Sequence, residues 1–108
     1  MPAIKPHWFH ILLSLADQDL HGLAIRDQVL ERTGGQVHLW PAMLYGSLQK
    51  LSDLDLIEET EPPPGFEVGG GTPRLYALTE AGRVALAEEV GKMESYVAVA
   101  RAKRVGEA

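Results

Sequence analysis

The sequence predicts a single, mainly α-helical domain that carries one β-hairpin, and three observations lead to this fold class. Four segments show apolar residues at helical spacing. Between the third and fourth of these, two short segments alternate apolar and polar residues, as strands do, and a loop rich in proline and glycine separates them. The chain has 108 residues, of which 45% are hydrophobic, and this is enough for one hydrophobic core.

The first two helices are predicted from their apolar faces. Residues 7–15 place large apolar side chains on one wide face, namely Trp8, Ile11, Leu12 and Leu15. The segment DQDLHG then interrupts this pattern. A second helix is predicted from about His21 to Thr33. The pair Gly34-Gly35 ends it, because glycine readily adopts the left-handed conformation that follows many helices.

The third predicted helix begins at Pro41, whose missing N–H suits the first position of a helix. One side of this helix is apolar and carries Leu44, Leu48, Leu51 and Leu54. The other side is predicted to face away from the core and carries Met43, Gly46, Ser47, Gln49, Lys50 and Asp53. The helix continues into the first strand without a cluster of loop-forming residues.

The β-hairpin is predicted to use residues 56–61 and 74–79 as strands. The twelve residues between them, PPPGFEVGGGTP, are expected to form a mobile loop because of their proline and glycine content. Thr79, the last residue of the second strand segment, can cap a fourth helix that extends to about Arg104. Glu80 favours the same start, since a negative charge stabilises a helix N-terminus.

The fourth helix carries a narrow apolar stripe, which consists of Leu86, Val90, Met93, Val97 and Ala100. A helix of about 26 residues is about 39 Å long, more than a three-helix core can cover. The stripe therefore predicts a homodimer, and we expect the first helix of the partner to complete the interface through Trp8, Ile11 and Leu12. This divides the chain into residues 1–78 and a dimerisation helix with its tail, residues 79–108.

Three helices, a hairpin and a final helix are the element order of a winged helix-turn-helix domain with an added dimerisation helix. In this arrangement the third helix enters the major groove of DNA, and the hairpin is the wing beside it. The direct connection between the third helix and the first strand fixes the wing next to the recognition helix. The sequence thus predicts double-stranded DNA as a partner.

Composition limits the other classes of protein. The net charge of −5 argues against a general polyanion binder, because such binding depends on Lys and Arg, so any DNA-binding cations must be gathered locally. The absence of cysteine excludes disulfides, thiolate metal sites and a thiol nucleophile. No apolar run approaches the length of about 18 residues that a membrane span needs. The chain also starts without the pattern of a secretory signal, so we expect a cytoplasmic protein.

Three separated motifs resemble the PadR family of bacterial transcriptional regulators. They are HGLAIRDQVLERTGG, WPAMLYGSLQKLSDLDLIEE and GTPRLYALTEAGR, and together they extend over residues 21–83. They match the His-Gly pair, the Pro-x-x-Leu-Tyr-x-x-Leu helix and the Arg-x-Tyr-x-Leu-Thr-x-x-Gly strand of that family. The resemblance implies a homodimeric repressor that binds an inverted-repeat operator and is often released by a small hydrophobic or aromatic molecule. The short single C-terminal helix suggests the smaller subfamily.

The chain departs from the family pattern at several positions. Ala42-Met43 stands where relatives usually have Gly-Thr or Gly-Ser, so a hydroxyl that can hold a phosphate is missing. Gly46 replaces a position that is often proline, and Asp55 stands where relatives commonly turn with glycine. The wing is acidic before Arg74, with Glu59, Glu61 and Glu67. We therefore do not expect the wing tip to hold a phosphate backbone.

Six residues are candidates for DNA contact: Met43, Tyr45, Ser47, Gln49, Lys50 and Arg74. The family resemblance implies that Tyr45 reaches the DNA backbone; alternatively it lies half-buried between helix and hairpin. Gln49 suits adenine, and Lys50 suits guanine or a phosphate, although any surface helix carries such side chains. Arg74 at the base of the wing can reach a phosphate or the minor groove. The alternative is an ion pair with Glu58 or Glu59.

Other sites were weighed in the same way. Trp8 and Trp40 are candidates for an aromatic effector pocket, although a core or interface tryptophan is the simpler interpretation. His7 and His10 have a spacing that can chelate a metal, but no further ligands accompany them, so we predict no metal and no cofactor. No nucleophile and base pair or phosphate-binding loop indicates an enzyme. The alternative function is a winged-helix module that binds a protein instead of DNA, which the acidic wing would suit.

Overall fold

The computed structural model describes residues 3–107 and contains four helices and three strands in this part of the chain. The helices are α1 (Pro6–Ser14), α2 (Gly22–Arg32), α3 (Pro41–Asp53) and α4 (Glu80–Ala102), and the strands are β1 (Leu20–His21), β2 (Ile57–Thr60) and β3 (Leu75–Leu78). This is a winged helix-turn-helix followed by a long C-terminal helix, so the predicted fold class is confirmed. Within residues 3–107, every helix is too short or too polar to cross a membrane.

The helices begin and end where the sequence indicates. Pro41 occupies the first turn of α3, and Thr79 caps α4 by accepting a hydrogen bond from the Gly82 N–H. After α2, Gly34 and Gly35 both adopt positive φ angles of 62° and 85°. Glycine tolerates this conformation without steric cost, and here it ends the helix.

The sheet has the strand order β1–β3–β2, and both pairs are antiparallel. In the wing, Ile57 lies opposite Leu78 and Thr60 lies opposite Leu75. Strand β1 adds a third strand, with Leu20 opposite Tyr76. The sequence did not predict β1, since two residues between polar neighbours produce no alternation that could be recognised.

The wing loop contains more order than its composition suggested. Val68 and Gly71 pair across a two-residue turn, and both backbone hydrogen bonds form, at 2.8 and 3.1 Å. Gly69 and Gly70 between them have positive φ angles, as a type I′ hairpin turn requires. Phe66 also contacts His21 edge to face, with ring centroids 6.1 Å apart. The loop therefore folds back towards the start of α2.

One hydrophobic core joins all four helices and the sheet. It includes Trp8, Ile11 and Leu12 of α1, which pack inside their own chain, where α1 lies against α2 and α4. Trp8 is only 5% exposed, and the other two side chains have no exposed surface. The prediction that these three residues belong to a dimer interface is wrong, because the chain itself covers their apolar face.

The first half of helix α4 packs one face against the core, and its second half projects into solvent. Gly82, Ala85 and Leu86 are buried in the core, so the assignment of Leu86 to a dimer interface is also corrected. Val90 packs partly against the core, whereas Met93 and Val97 are exposed. The molecule measures 52 × 29 × 23 Å, and this elongated shape agrees with a helix of 23 residues, about 35 Å, that projects beyond the core.

Thr79 joins the end of α3 to the start of α4. Its hydroxyl donates to the carbonyl oxygen of Asp55 at 2.6 Å and accepts from the N–H of Gly82 at 2.9 Å. Its own N–H donates to the carbonyl oxygen of Leu56 at 3.2 Å. Asp55 has a positive φ of 59°, a conformation that Asp tolerates better than most residues, and this turns the chain from α3 directly into β2.

We expect Gly82→Ala to destabilise the protein by about 1–3 kcal/mol, the usual cost of overpacking a core. A Cβ at Gly82 would overlap the carbonyl oxygen of Leu56 and would lie 2.7 Å from a methyl carbon of Leu78. Backbone cannot move aside as a flexible side chain does. Urea unfolding monitored by circular dichroism measures the change.

Gly91→Ala is the matched control on the same helix. A Cβ at Gly91 meets no atom within 4 Å, so this change should stabilise α4 by about 0.5–1 kcal/mol through helix propensity. We expect the two alanine substitutions to change the free energy of unfolding in opposite directions. A Gly82→Ala protein as stable as the native chain would contradict the close approach of α4 to β2.

Candidate nucleic-acid interface

The exposed side of α3 is the surface that a recognition helix needs. The buried leucines Leu44, Leu48 and Leu51 fix the rotation of the helix, and the side away from them is open to solvent. The exposed residues of α3 are Pro41, Ala42, Met43, Tyr45, Gly46, Gln49, Lys50 and Asp53. Four of the six candidates for DNA contact, Met43, Tyr45, Gln49 and Lys50, therefore lie together on one helix surface.

Ser47 does not lie on this surface. Ser47 is only 6% exposed, so the prediction that it faces away from the core is wrong. Ser47 follows Leu44 by three residues and precedes Leu48, so the helical rotation turns it towards the buried side. It instead lies at the bottom of a groove between α1 and α3.

This groove, which we call the α1–α3 groove, has a volume of about 350 Å³. It is lined by Lys5, His7, Trp8, Ala42, Met43, Gly46, Ser47 and Lys50. Two lysines, one from each helix region, therefore share one open depression. The ammonium group of Lys5 lies 5.0 Å from the ring centroid of Trp8, and this cation–π contact holds Lys5 at the edge of the groove.

The two histidines of α1 have different surroundings. Burial, and then the positive charge of Lys5, lowers the pKa of His7. Burial, and then the positive charge of Arg32, lowers the pKa of His10. Both imidazoles are thus neutral at pH 7 in the free chain. Within residues 3–107, no group of three or more histidine and carboxylate side chains is placed to hold a metal ion.

Tyr45 lies on the other edge of the exposed side of α3. Its ring covers Gly22 so closely that a Cβ at Gly22 would lie 3.1 Å from the phenol oxygen. Tyr45 is nevertheless 49% exposed, so it packs on the start of α2 and still presents a polar group to solvent. Next to it is a depression of about 210 Å³ that also contains His21, Arg74 and Tyr76.

Arg74 and Gln49 are already paired within the chain. A guanidinium nitrogen of Arg74 lies 2.9 Å from a carboxylate oxygen of Glu59, so the alternative interpretation of Arg74 as an ion-pair partner describes the free protein. The amide of Gln49 donates to Asp53 at 2.9 Å. Both pairs are exposed at the surface, and exposed pairs contribute at most about 1 kcal/mol. Either pair can therefore exchange its partner for a ligand.

Tyr76 belongs to the core and lines the same depression as Arg74. Burial raises the pKa of its phenol, and the negative charge of Glu59 and the neighbouring Tyr45 raise it further, while Arg74 opposes them. Tyr76 therefore remains an uncharged phenol, and the base of the wing keeps Arg74 as its cation.

The two tryptophans do not share a cavity among the described residues. Trp8 is a core residue, as the simpler interpretation had it. Trp40 is 61% exposed and stacks on His38 with ring centroids 3.7 Å apart. A larger depression, of about 590 Å³, lies between the base of the wing and its proline segment and is lined by neither tryptophan.

Three residues of this surface were not among the candidates for DNA contact that the sequence suggested. Lys5 and His7 lie near the chain start, and only the packing of α1 beside α3 brings them to Lys50. Gly22 was noticed as part of a motif, but its role as the seat of the Tyr45 ring depends on a contact between two helices. Sequence spacing carries no signal for contacts of this kind.

A winged helix-turn-helix with an exposed third helix defines the general class, and comparison with known proteins supplies the family. Residues 11–88 match the model of the transcriptional regulator PadR-like family. Because this match includes most of the chain, the protein belongs to the PadR-like family of transcriptional regulators. The resemblance noted in the sequence is thereby confirmed.

Solved structures show the same fold. A PadR family transcription regulator from hypervirulent Clostridium difficile R20291 superposes with a TM-score of 0.70 at 24% identity, over 87% of this chain and 95% of that one. RosR from H. salinarum superposes with a TM-score of 0.67 at 26% identity, over 96% of this chain and 80% of that one. Bacillus subtilis PadR in complex with operator DNA superposes with a TM-score of 0.67 at 23% identity, over 82% of this chain and 48% of that one. No curated protein matches the sequence.

We expect Lys5→Ala to raise the pKa of His7 without restoring its ordinary value, because burial is the larger cause of the shift. NMR titration of the imidazole resonances measures this change. His10 in the same spectra is the internal control, since its second cause is Arg32 and not Lys5. An unchanged His7 titration would show that Lys5 is not held over the groove.

Proposed function

We propose that this transcriptional regulator is a homodimer that binds an inverted-repeat DNA operator through α3 and represses the gene beside it. The observation that carries the proposal is the distribution of cations around α3. Lys5 and Lys50 line one edge of its exposed side, and Arg74 lies beside Tyr45 at the other edge. A chain with a net charge of −5 thus surrounds its recognition helix with positive groups.

The roles of the side chains follow from their positions. Gln49 and Lys50 stand on the open side of α3, where an amide can pair with adenine and an ammonium group with guanine or a phosphate. Tyr45 and Arg74 at the wing edge suit phosphate oxygens. Met43 borders the α1–α3 groove, and Ser47 offers its hydroxyl from the bottom of that groove. The neighbour from Bacillus subtilis was solved in complex with operator DNA, and this supports DNA as the partner of the present chain.

The homodimer is inferred from the second half of α4. At 100° per residue, Met93, Val97 and Ala100 continue the stripe that Leu86 and Val90 begin. The core covers this stripe as far as Val90, whereas Met93 and Val97 are exposed together with Tyr96 and Val99. A large exposed apolar surface of this kind marks an interface, and a second copy of α4 presents a matching one. We therefore assign residues 79–108 to dimerisation.

A two-fold dimer explains an inverted-repeat operator. It places two α3 helices about 34 Å apart, one turn of B-DNA, so that each meets one half-site. Repression and release by a small aromatic molecule are part of the proposal because they accompany the family resemblance. Trp40 has an exposed ring on which such a molecule could stack. This site would lie directly before the start of α3.

We expect Lys50→Ala to weaken operator binding and to reduce the salt dependence of log K by about 0.9 for each protomer, the value for one phosphate contact. Electrophoretic shifts with duplexes from the promoter of its own gene, at several salt concentrations, measure both effects. Lys103→Ala is the control, because it removes the same charge at the far end of α4. Equal effects of both variants would exclude a local role of Lys50.

The same experiment tests the proposed function as a whole. Binding of the native protein to a specific duplex, with competition by unlabelled operator, is the expected result. If no duplex is retarded at low salt, the protein-binding alternative is favoured, and the acidic wing with Glu59, Glu61 and Glu67 becomes the surface to examine.

We expect the double change Met93→Asp and Val97→Asp to convert the dimer into a monomer, since two carboxylates would be buried without partners in the apolar stripe. Light scattering should show a fall from twice the mass of one chain to the mass of one. Operator affinity should fall with it, because one protomer contacts only one half-site.

Val84→Asp is the control for this change. Val84 is an exposed valine of the same helix, about 180° around the axis from Met93, so its replacement should leave the dimer intact. A double variant that remains dimeric, or a monomer that binds the operator as tightly as before, would refute the assignment of α4.

A further inference from the structure

The first turn of α3 is apolar where it meets solvent. Pro41, Ala42 and Met43 are exposed, and Met43 is 45% exposed in spite of its long apolar side chain. Trp40, the residue that precedes this turn, is exposed as well. Tyr45 is the first residue of the helix with a polar side chain. Recognition helices of this class bring their N-terminal residues to the edges of the bases, and here those residues cannot form side-chain hydrogen bonds.

One base offers an apolar group in the major groove. Thymine carries a C5-methyl group there, and the other three bases present hydrogen-bonding groups without it. Apolar side chains recognise this methyl group by covering it from water. A methionine is well suited to the task, because its unbranched thioether adapts to the shape of the contact.

The charges around the first turn indicate that DNA is its occupant. Met43 and Ala42 line the α1–α3 groove together with Lys5 and Lys50, so an apolar contact and two phosphate-binding cations share one depression. Gly46 in the same groove adds no side chain, and a Cβ there would meet no atom within 4 Å. A nucleic-acid backbone can approach closely at this point, while an apolar protein surface would leave both lysines without partners.

We propose that Met43 and Ala42 contact thymine C5-methyl groups, so that each half-site of the operator has thymine opposite the first turn of α3. This inference rests on the proposed function, since it specifies how the operator is recognised. The apolar turn then adds a preference for thymine to the bases that Gln49 recognises, whereas a lysine bound to a phosphate contributes equally at every sequence.

The test begins with the selection of tight-binding duplexes from a random library by the full-length protein. Each thymine of the selected half-site is then replaced by deoxyuridine, which removes only the methyl group and keeps all base pairing. We expect about fourfold weaker binding at one or two positions, the factor that corresponds to one buried methyl group. Deoxyuridine at the remaining positions should leave affinity unchanged.

Two variants connect the effect to the residue. Met43→Ala should bind the thymine duplex more weakly, and it should no longer distinguish thymine from deoxyuridine at one of the sensitive positions. Lys50→Ala is the matched control, because it should weaken binding to both duplexes by the same factor. Circular dichroism verifies that the exposed Met43 side chain can be removed without unfolding the chain.

The outcomes separate this inference from the proposed function. If specific duplexes are selected but bind equally well with thymine and with deoxyuridine at all positions, the inference is overturned. The proposed function as a transcriptional regulator would remain. Full discrimination by Met43→Ala would have the same two consequences. If selection enriches no duplex, the proposed function fails, and the inference fails with it.

Discussion

The structure depends on the hydrogen bonds of Thr79. Its hydroxyl connects the carbonyl group of Asp55, directly after α3, with the first turn of α4, and its N–H binds Leu56 at the start of the wing. Four elements therefore meet within a few ångströms, and Gly82 is the residue that lets α4 approach so closely. The hydrogen bonds of Thr79 therefore fix the positions of α3, the wing and α4 relative to one another.

The junction also connects α4 with the geometry of the proposed dimer. In the proposed dimer, α4 determines the distance between the two α3 helices, and the operator requires a spacing of about 34 Å. Because the first turns of α4 pack in the core, a change in the direction of α4 would move each α3 relative to the partner.

Much of this fold was predictable from the sequence, because the four helices and the hairpin each have a clear periodicity or a proline and glycine boundary. The contacts between elements were not. Trp8, Ile11 and Leu12 form an apolar stripe like that of α4, and the pattern alone cannot show that one stripe is covered within the chain while the other remains open. Ser47 illustrates the same limit on a smaller scale. It lies next to buried leucines, and a small rotation of α3 about its own axis decides whether its side chain is exposed or buried. Strand β1 was too short to give any signal.

The electrostatics of the free chain bear on specificity. Arg74 is held by Glu59 and Gln49 by Asp53, so these groups become available only when DNA replaces their internal partners. Lys5 and Lys50 have no such ion pair among the described residues and can bind any phosphate backbone. At a random DNA sequence, attraction would therefore come mainly from two lysines, opposed by a net charge of −5 and an acidic wing. In the proposed complex, a specific site adds base contacts to Gln49 and to the apolar first turn of α3, which a random sequence lacks. In the proposed regulator, the negative charge of the chain, which first argued against nucleic acid, would weaken binding to random sequences.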